Sequence, residues 1–250
     1  MVLNKKGENN MGFLKNYTES SFFGLLKTEY PELIPQIMPH PEIKQNLVSS
    51  TTIAAVKYKD GVVIGGDRRA TVNGHIVINE HVVKVFKTDD HSAIAIAGTF
   101  GPSVKMAKLF QVELEHYEKI EGIPLTLEGK ANRLSQLIEQ NFPAAIQGLP
   151  VMPLYAGYDL DAGHGKIFEY DITGGTFIKP KEEPFSTSGS GGDRAASTME
   201  HFYRDDMNES EAMELMIKAL DFAAKKDAAT GGTSYIIKSV SRDGVKSLVG

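Results

Sequence analysis

The junction between Ser50 and Thr51 is the first place where the residue types suggest covalent chemistry. A polar stretch ends there, and the apolar run Thr52–Tyr58, typical of a core strand, begins. If the Ser50–Thr51 peptide bond is cut, Thr51 carries a hydroxyl and a free α-amine on one residue. That pair can act as a nucleophile with its own base, so the junction indicates an N-terminal threonine nucleophile.

Asp67 and Lys84 are the next residues that could take part in such chemistry. Asp67 ends a strand-like segment and is followed by Arg68 and Arg69, a pattern that also suits an ordinary surface ion network. Lys84 lies in the apolar segment Val82–Phe86, where alternation also allows a side chain that points to solvent. A buried lysine beside a carboxylate would lower the proton affinity of a nearby hydroxyl, which gives such a pair a catalytic use.

Three segments of small residues further along could surround a reacting group. Gly98 ends a strand-like segment, where its N–H could stabilise an oxyanion or simply form a strand-to-helix turn. Ser190 lies in a Ser/Gly-rich loop that lacks the ending of a phosphate-binding loop, which leaves an active-site hydroxyl or a flexible loop. Asp227 ends a helical segment, where an acid opposes the helix dipole and needs a compensating partner, while Gly231 suits an ordinary C-cap.

The composition excludes several function classes. The chain has no cysteine, and its seven histidines show no metal-ligand spacing, so we expect neither a metal nor a cofactor. The net charge is −5 and no basic block is present, which argues against nucleic-acid binding. No apolar run approaches the ~18 residues of a membrane span, and no secretory signal precedes the core. We therefore expect a cytoplasmic protein that does not bind membranes.

The first 50 residues differ from the rest of the chain. They hold four of the eleven prolines and show no strong periodicity. A short helix is predicted at Ser21–Leu26, with apolar side chains that could contact a partner. The pattern indicates either a disordered tail or a removable leader.

From Thr51 onward, period-two alternation predicts strands and spacing of three and four predicts helices. The predicted strands are Thr52–Lys59, Val62–Gly66, His75–Ile78, Val83–Lys87, Ser92–Ala97, Pro153–Tyr158, Lys166–Tyr170, Thr176–Ile178, Phe185–Ser188, Tyr235–Val240 and Val245–Leu248. The predicted helices are Pro102–Ile120, Leu125–Ile146 with Thr126 as N-cap, Asp193–Tyr203, and Glu209–Ala228 with a capping box of Asn208 and Glu211. This order predicts an α+β fold, a four-layer αββα sandwich of two antiparallel sheets between helix layers.

Taken in order, these motifs resemble the catalytic β-subunit of the 20S proteasome, an N-terminal-nucleophile hydrolase. The resemblance runs from about Thr51 to the end of the chain, and the segments Val112–Lys119 and Glu121–Thr126 are similar to the actinobacterial type. It implies a propeptide at residues 1–50, a catalytic domain at residues 51–250 and the fold of N-terminal-nucleophile hydrolases.

The resemblance also selects individual residues. The family's acid lies sixteen residues after the nucleophile, which matches Asp67 with Thr51 and leaves Thr52 as the second strand residue. Catalytic roles are implied for Thr51, Asp67, Lys84, Gly98, Ser190, Asp227 and Thr230. Substrate contacts are implied for Thr71 and Phe100 beside the substrate strand, and for Ala70, Val82 and Ile96 in an apolar pocket.

The implied activity is that of a threonine endopeptidase, which autocatalytic cleavage at Ser50–Thr51 would activate. The implied partners are a homoheptameric β-ring stacked on a second β-ring, α-subunit rings that cap them, and an ATPase ring that delivers unfolded proteins. From the apolar pocket we expect cleavage after apolar residues.

Three features depart from the family pattern. Ser50 replaces a usual glycine, Ala228 replaces a common serine, and relatives continue into a further helix beyond Leu248. We therefore expect differences in leader removal and in the contact between rings.

Three alternatives stay open. An HslV-type peptidase also begins with two threonines, although Arg68, Arg69 and the long leader argue against it. A non-catalytic structural ring subunit is disfavoured by the intact set of Thr51, Asp67 and Lys84. A small-molecule amidase could use the same nucleophile.

Overall fold

A computed structural model of the chain describes residues 51–72 and 76–250. Within them the chain forms twelve strands and four α-helices. The strands are β1 (Thr52–Tyr58), β2 (Gly61–Gly66), β3 (Ala70–Val72), β4 (Ile76–Asn79), β5 (Val85–Asp89), β6 (Ser92–Ala95), β7 (Leu154–Asp159), β8 (His164–Tyr170), β9 (Thr176–Ile178), β10 (Phe185–Gly189), β11 (Ile236–Ser241) and β12 (Gly244–Val249). The helices are α1 (Phe100–Glu121), α2 (Leu127–Ala145), α3 (Gly192–Phe202) and α4 (Glu209–Lys226). The predicted leader, with its helix at Ser21–Leu26, and the Ser50 side of the cleavage site lie outside the described residues.

The hairpin of β1 and β2 brings the first two site residues together. The two strands are antiparallel, and their register pairs Ile53 with Gly66. The start of β1 therefore lies beside the end of β2. Thr51 and Asp67, which stand directly outside these two ends, become neighbours.

Two antiparallel five-stranded sheets form the middle of the fold, in the orders β10-β1-β2-β11-β12 and β5-β6-β7-β8-β9. Strand β1 is buried on both faces of the first sheet. Its residues point alternately to the two sides of that sheet. Ile53 and Ala55 pack in the core between the two sheets. Ala54 and Val56 pack against α3 and α4.

A third core covers the outer face of the second sheet. Phe110 of α1 and Leu134 of α2 pack there with Tyr155 of β7. Three apolar cores thus separate four layers, namely a helix pair, a sheet, a second sheet and a second helix pair. This arrangement confirms the predicted αββα sandwich.

Hydrogen bonds confirm the two helix starts for which capping residues were predicted. The Thr126 side chain accepts from the Gly129 N–H at 3.1 Å at the start of α2. Asn208 and Glu211 form a reciprocal capping box at the start of α4. These contacts satisfy N–H groups that have no partner inside the helix, which is why these residue types mark the starts in the sequence.

The predicted bounds of strands and helices were least accurate close to the candidate site. Strand β5 begins at Val85 rather than Val83, so Lys84 precedes the strand instead of lying within it. Strand β3 was not predicted at all; it has three residues and pairs with β4 in a separate two-stranded sheet. Three residues are too few for alternation to show in a sequence. The other described elements agree with their predicted bounds within two residues.

Candidate active site

Asp67 is the centre of the candidate site. Its side chain is fully buried, and its Oδ1 atom accepts hydrogen bonds from three donors at once. These are the Thr51 hydroxyl at 2.8 Å, the Thr52 N–H at 2.9 Å and the Lys84 ammonium at 2.7 Å. One carboxylate oxygen therefore holds the predicted nucleophile beside a positive charge.

The second oxygen of Asp67 fixes the carboxylate to the backbone. Its Oδ2 accepts from the N–H groups of Arg69 and Gly231, each at 3.0 Å. A buried carboxylate without partners would be costly, and these contacts satisfy it from two distant parts of the chain. The arrangement also decides between two sequence interpretations, because Asp67 pairs with Lys84 and not with the guanidinium groups of Arg68 or Arg69.

Lys84 is buried rather than turned to solvent. Its side chain is 2% exposed, and its ammonium donates to Asp67 Oδ1 and to the Arg69 carbonyl oxygen. Burial lowers the pKa of Lys84, and the charge and hydrogen bond of Asp67 oppose that shift only in part. The lysine is thus an ammonium held in a site that weakens its hold on the proton.

Gly98 offers a backbone N–H on the segment between β6 and α1, where it forms an isolated bridge with Val151. The bridge between Gly98 and Val151 is made by the Thr99 N–H to the Pro150 carbonyl and by the Met152 N–H to the Ala97 carbonyl. The Gly98 N–H takes no part in it. Gly98 has φ +97°, and a Cβ there would lie 2.3 Å from the Pro150 carbonyl oxygen, so this turn requires glycine.

The three remaining predicted residues form a second cluster beside Thr51. The Ser190 and Thr230 hydroxyls both donate to Asp227 Oδ2, Thr230 at 2.6 Å. The Ser190 Oγ atom also lies 3.4 Å from the Thr51 carbonyl oxygen, which places this cluster next to the nucleophile. Burial raises the pKa of Asp227, but the hydrogen bonds from Ser190 and Thr230 outweigh it and hold the pKa below its ordinary value. These donors are the compensating partners that an acid after a helix end requires.

Thr52 also joins this network, although it was predicted only as the second strand residue. Its buried hydroxyl lies 2.6 Å from the hydroxyl of Thr230. Because the single proton of the Thr230 hydroxyl goes to Asp227, Thr52 must be the donor. A relay therefore runs from Thr52 through Thr230 to the Asp227 carboxylate. The two threonines are 178 positions apart, so no local sequence signal marks this contact.

Arg69 also belongs to the site. Its backbone N–H binds Asp67, its carbonyl binds Lys84, and its guanidinium donates to the Ala228 and Thr230 carbonyl oxygens at 3.0 and 3.3 Å. The sequence suggested only a surface ion network for this residue, because no local pattern marks an arginine that binds carbonyls far along the chain.

The predicted substrate residues lie in different surroundings. Ala70 and Thr71 are buried on β3, and the Thr71 hydroxyl has no hydrogen-bond partner among the described residues. Val82 is 8% exposed on the segment before Lys84. Ile96 is also buried, and its side chain packs with the core under α1. Phe100 is the first residue of α1 and is partly exposed.

Two further searches of the described residues concern metals and membranes. In residues 51–72 and 76–250, no group of three or more acidic or histidine side chains is arranged to hold a metal ion. In the same ranges, no helix is both long enough and apolar enough to cross a bilayer.

Comparison with known proteins shows the family to which the chain belongs. The family described as proteasome subunit matches residues 48–237. The chain is 46% identical to a proteasome subunit beta of Streptomyces griseus over 215 residues, which cover 85% of this chain and 75% of that protein.

Two other relatives agree. A proteasome subunit beta of Acidothermus cellulolyticus is 46% identical over 85% of this chain and 74% of its own length. A proteasome subunit beta 2 of Thermomonospora curvata is 42% identical over 92% of this chain and 83% of its own length. The family match includes all four helices, strands β1 to β10 and every predicted site residue from Thr51 to Thr230, and the chain therefore belongs to the proteasome subunit family, as one of its β-type members.

Proposed function

We propose that the chain is a threonine endopeptidase that activates itself by cleaving the Ser50–Thr51 bond and then degrades unfolded proteins. The observation that carries the proposal is the single Asp67 oxygen that holds the Thr51 hydroxyl, the Thr52 N–H and the Lys84 ammonium. A surface ion network has no need to hold a threonine hydroxyl in a fully buried site.

The first step is removal of the leader. The Thr51 oxygen attacks the Ser50 carbonyl carbon, and its proton leaves toward Asp67 Oδ1, the acceptor 2.8 Å away. Asp67 passes this proton on to the Thr51 nitrogen as the bond between that nitrogen and Ser50 breaks, so the leader becomes an ester on the threonine oxygen. Water then hydrolyses the ester and leaves a free amine on Thr51.

Peptide cleavage follows with the new amine as general base. The amine accepts the hydroxyl proton as the oxygen attacks the substrate carbonyl carbon, and the Gly98 N–H stabilises the resulting oxyanion. The protonated amine then gives that proton to the leaving nitrogen as the peptide C–N bond breaks, which leaves the acyl-enzyme. Lys84 favours the deprotonated form of the hydroxyl by its charge. Ser190, Asp227 and Thr230 orient the amine and the attacking water that releases the acyl-enzyme. The chemistry needs no metal and no cofactor.

Substrate specificity is expected to favour apolar residues before the cut. Ala70 and Val82 are small or aliphatic and lie on the segments that flank Asp67 and Lys84. Thr71, whose hydroxyl has no partner in the part of the chain that the structure describes, and Phe100 would border an extended substrate strand.

The relatives are named subunits of a proteasome, and we extend this to the assembly of the present chain. We propose seven copies in a ring, two such rings stacked, α-subunit rings on the outside, and an ATPase ring that delivers unfolded proteins in the cytoplasm. Residues 1–50 would be the propeptide and residues 51–250 the catalytic domain.

Intact-mass measurement tests the proposal directly. The full chain of 27.3 kDa is co-expressed with an α-subunit of the same organism, and assembled particles are isolated. We expect a β-chain that begins at Thr51 and cleaves fluorogenic peptides after apolar residues. Thr51→Ala should keep the leader and lose the activity, whereas the exposed Thr173→Ala should match the wild type.

Other results would select the alternatives. Assembled particles that keep the full-length chain would support a structural ring subunit. Sixfold rings in electron micrographs would support an HslV-type peptidase. Hydrolysis of small amides without degradation of casein would support an amidase, and equal cleavage after basic residues would overturn the predicted specificity.

A further inference from the structure

The Arg69 guanidinium connects three parts of the candidate site. Its Nη1 atom donates to the carbonyl oxygens of Ala228 and Thr230, in the turn that carries the hydroxyl bound to Asp227. The same residue binds Asp67 and Lys84 through its backbone. A displacement of Arg69 would therefore move both clusters of the site.

The packing around the guanidinium is close on one side. A Cβ on Gly231 would lie 2.8 Å from the Arg69 Cζ atom, so the guanidinium packs directly on the backbone of that turn. The neutral carbonyl contacts leave its charge uncompensated. The nearby charge of Arg69 also acts against the ammonium of Lys84 and contributes to lowering the pKa of Lys84.

Glu80 supplies the compensating charge. Its Oε1 atom lies 3.0 Å from Arg69 Nη2, the one ion pair that Arg69 makes among the described residues. Glu80 follows β4 directly, on the segment that reaches Lys84 four residues later. Its carbonyl oxygen would lie 3.0 Å from a Cβ on Gly232, so this segment runs along the turn that Arg69 binds.

We propose that Glu80 is a positioning residue for the proteolytic site. Its carboxylate orients the Arg69 guanidinium so that Nη1 holds the 228–230 turn, and with it the Asp227–Thr230 pair, in place beside Thr51. The proposal rests on the proposed function, because it assigns Glu80 to the threonine-dependent reaction. Glu80 touches neither the nucleophile nor its carboxylate and acts only through Arg69.

A plain surface ion pair would behave differently. The two side chains are 24% and 40% exposed, and such pairs contribute little to stability. A pair that only stabilised the fold would change the melting temperature slightly when broken and would leave kcat unchanged. A positioning pair changes kcat, while KM and the melting temperature stay near the wild-type values.

The test uses full-chain particles assembled with the α-subunit. Glu80→Ala should lower kcat by roughly three- to fivefold, the range of a partly exposed ion pair. Glu80→Gln keeps an acceptor for Nη2 and should lower kcat by about twofold. Glu115→Ala is the matched control, because it removes an exposed pair with Lys119 on one helix, and it should leave kcat unchanged.

A double-mutant cycle shows whether Glu80 acts through Arg69. In an Arg69→Met background, Glu80→Ala should produce no further loss, because no guanidinium is left for the Glu80 carboxylate to orient. Three results would overturn the proposal. They are an equal further loss of kcat in that background, an unchanged kcat in Glu80→Ala, and a fall in melting temperature that accounts for the lost activity.

Thr51→Ala particles separate the two proposals. If they keep wild-type activity, both the proposed function and the proposed role of Glu80 are wrong. If they lose activity while Glu80→Ala matches Glu115→Ala, only the role of Glu80 is wrong.

Discussion

Two lysine–aspartate pairs with buried lysines have nearly the same distance between the charged nitrogen and oxygen atoms and different surroundings. In the first, Lys84 lies 2.7 Å from Asp67; in the second, Lys130 of α2 lies 2.8 Å from Asp89 of β5. Both lysine side chains are less than one-tenth exposed. The contact distance alone therefore does not distinguish a candidate catalytic pair from a pair that joins a helix to a sheet.

The difference lies in what else each aspartate binds. Asp67 also accepts a threonine hydroxyl and three backbone N–H groups, whereas Asp89 also accepts the His91 N–H from its own turn. Asp67 thus joins four separate segments of the chain around one hydroxyl. A buried ion pair becomes a candidate site when its carboxylate also fixes a group that can react.

The largest expected effect is loss of activity when the first pair is broken. Lys84→Met removes the charge beside the Thr51 hydroxyl and should lower kcat by about 10²–10³-fold, comparable to loss of an electrostatic contact to a reacting group. Lys130→Met, a change of the same kind in the second pair, should leave kcat within about twofold of the wild type. Kinetics of assembled particles measure both, and equal losses would remove the distinction between the pairs.

Breaking the second pair should instead reduce stability. Lys130→Met leaves the Asp89 carboxylate buried without its counterion and should lower the free energy of unfolding by about 3 kcal/mol. Denaturation of the assembled particle, followed by circular dichroism, measures this change. A stable Lys130→Met particle with reduced peptidase activity would reverse the roles that we assign to the two pairs.

A smaller effect is expected from one hydroxyl near each pair. Thr52→Val removes the donor to Thr230 and should lower kcat by about fivefold, because one buried hydrogen bond contributes about 1 kcal/mol. The buried Thr88 hydroxyl, 2.7 Å from that of Ser92 and next in sequence to Asp89, is the matched control. Thr88→Val should reduce stability to a similar extent and leave kcat unchanged. A similar fall of kcat in both variants would contradict a specific relay at Thr52.

The pH dependence tests the Lys84 pair without a substitution, in particles that have removed their leader. Burial holds the pKa of Lys84 below its ordinary value of 10.5, so the lysine loses its proton at a lower pH in the folded protein than in the unfolded chain. Activity should therefore fall by about tenfold per pH unit as pH rises through the folded pKa. The effect of Lys84 on stability has the opposite sign, because the cost of burying its charge disappears over the same rise in pH.

Lys130→Met should show the same alkaline fall in activity as the wild type. If the pH at which activity falls changes in Lys130→Met, a group other than Lys84 causes the fall.

Several elements could be predicted because their signals are local. The buried strand Thr52–Tyr58 and the start of α4 at Asn208 are confirmed, since alternation and capping depend on residues a few positions apart. The short strand β3 was missed and β5 was predicted to begin two residues too early, at Val83, because tertiary contacts define these bounds and no local pattern marks them. The roles of the seven predicted catalytic residues stay predictions, although the structure brings Thr51, Asp67 and Lys84 into direct contact.

By itself, the sequence determined the order of strands and helices, the α+β class and the resemblance to proteasome β-subunits, all of which depend on periodicity and on motif spacing. Only the tertiary structure decided which charges meet. It paired Asp67 with Lys84 rather than with the adjacent arginines, joined Thr52 to Thr230, and placed Glu80 on Arg69. The physical reason is that these contacts depend on sheet register and on turns that pack together from distant parts of the chain, and a local pattern carries neither.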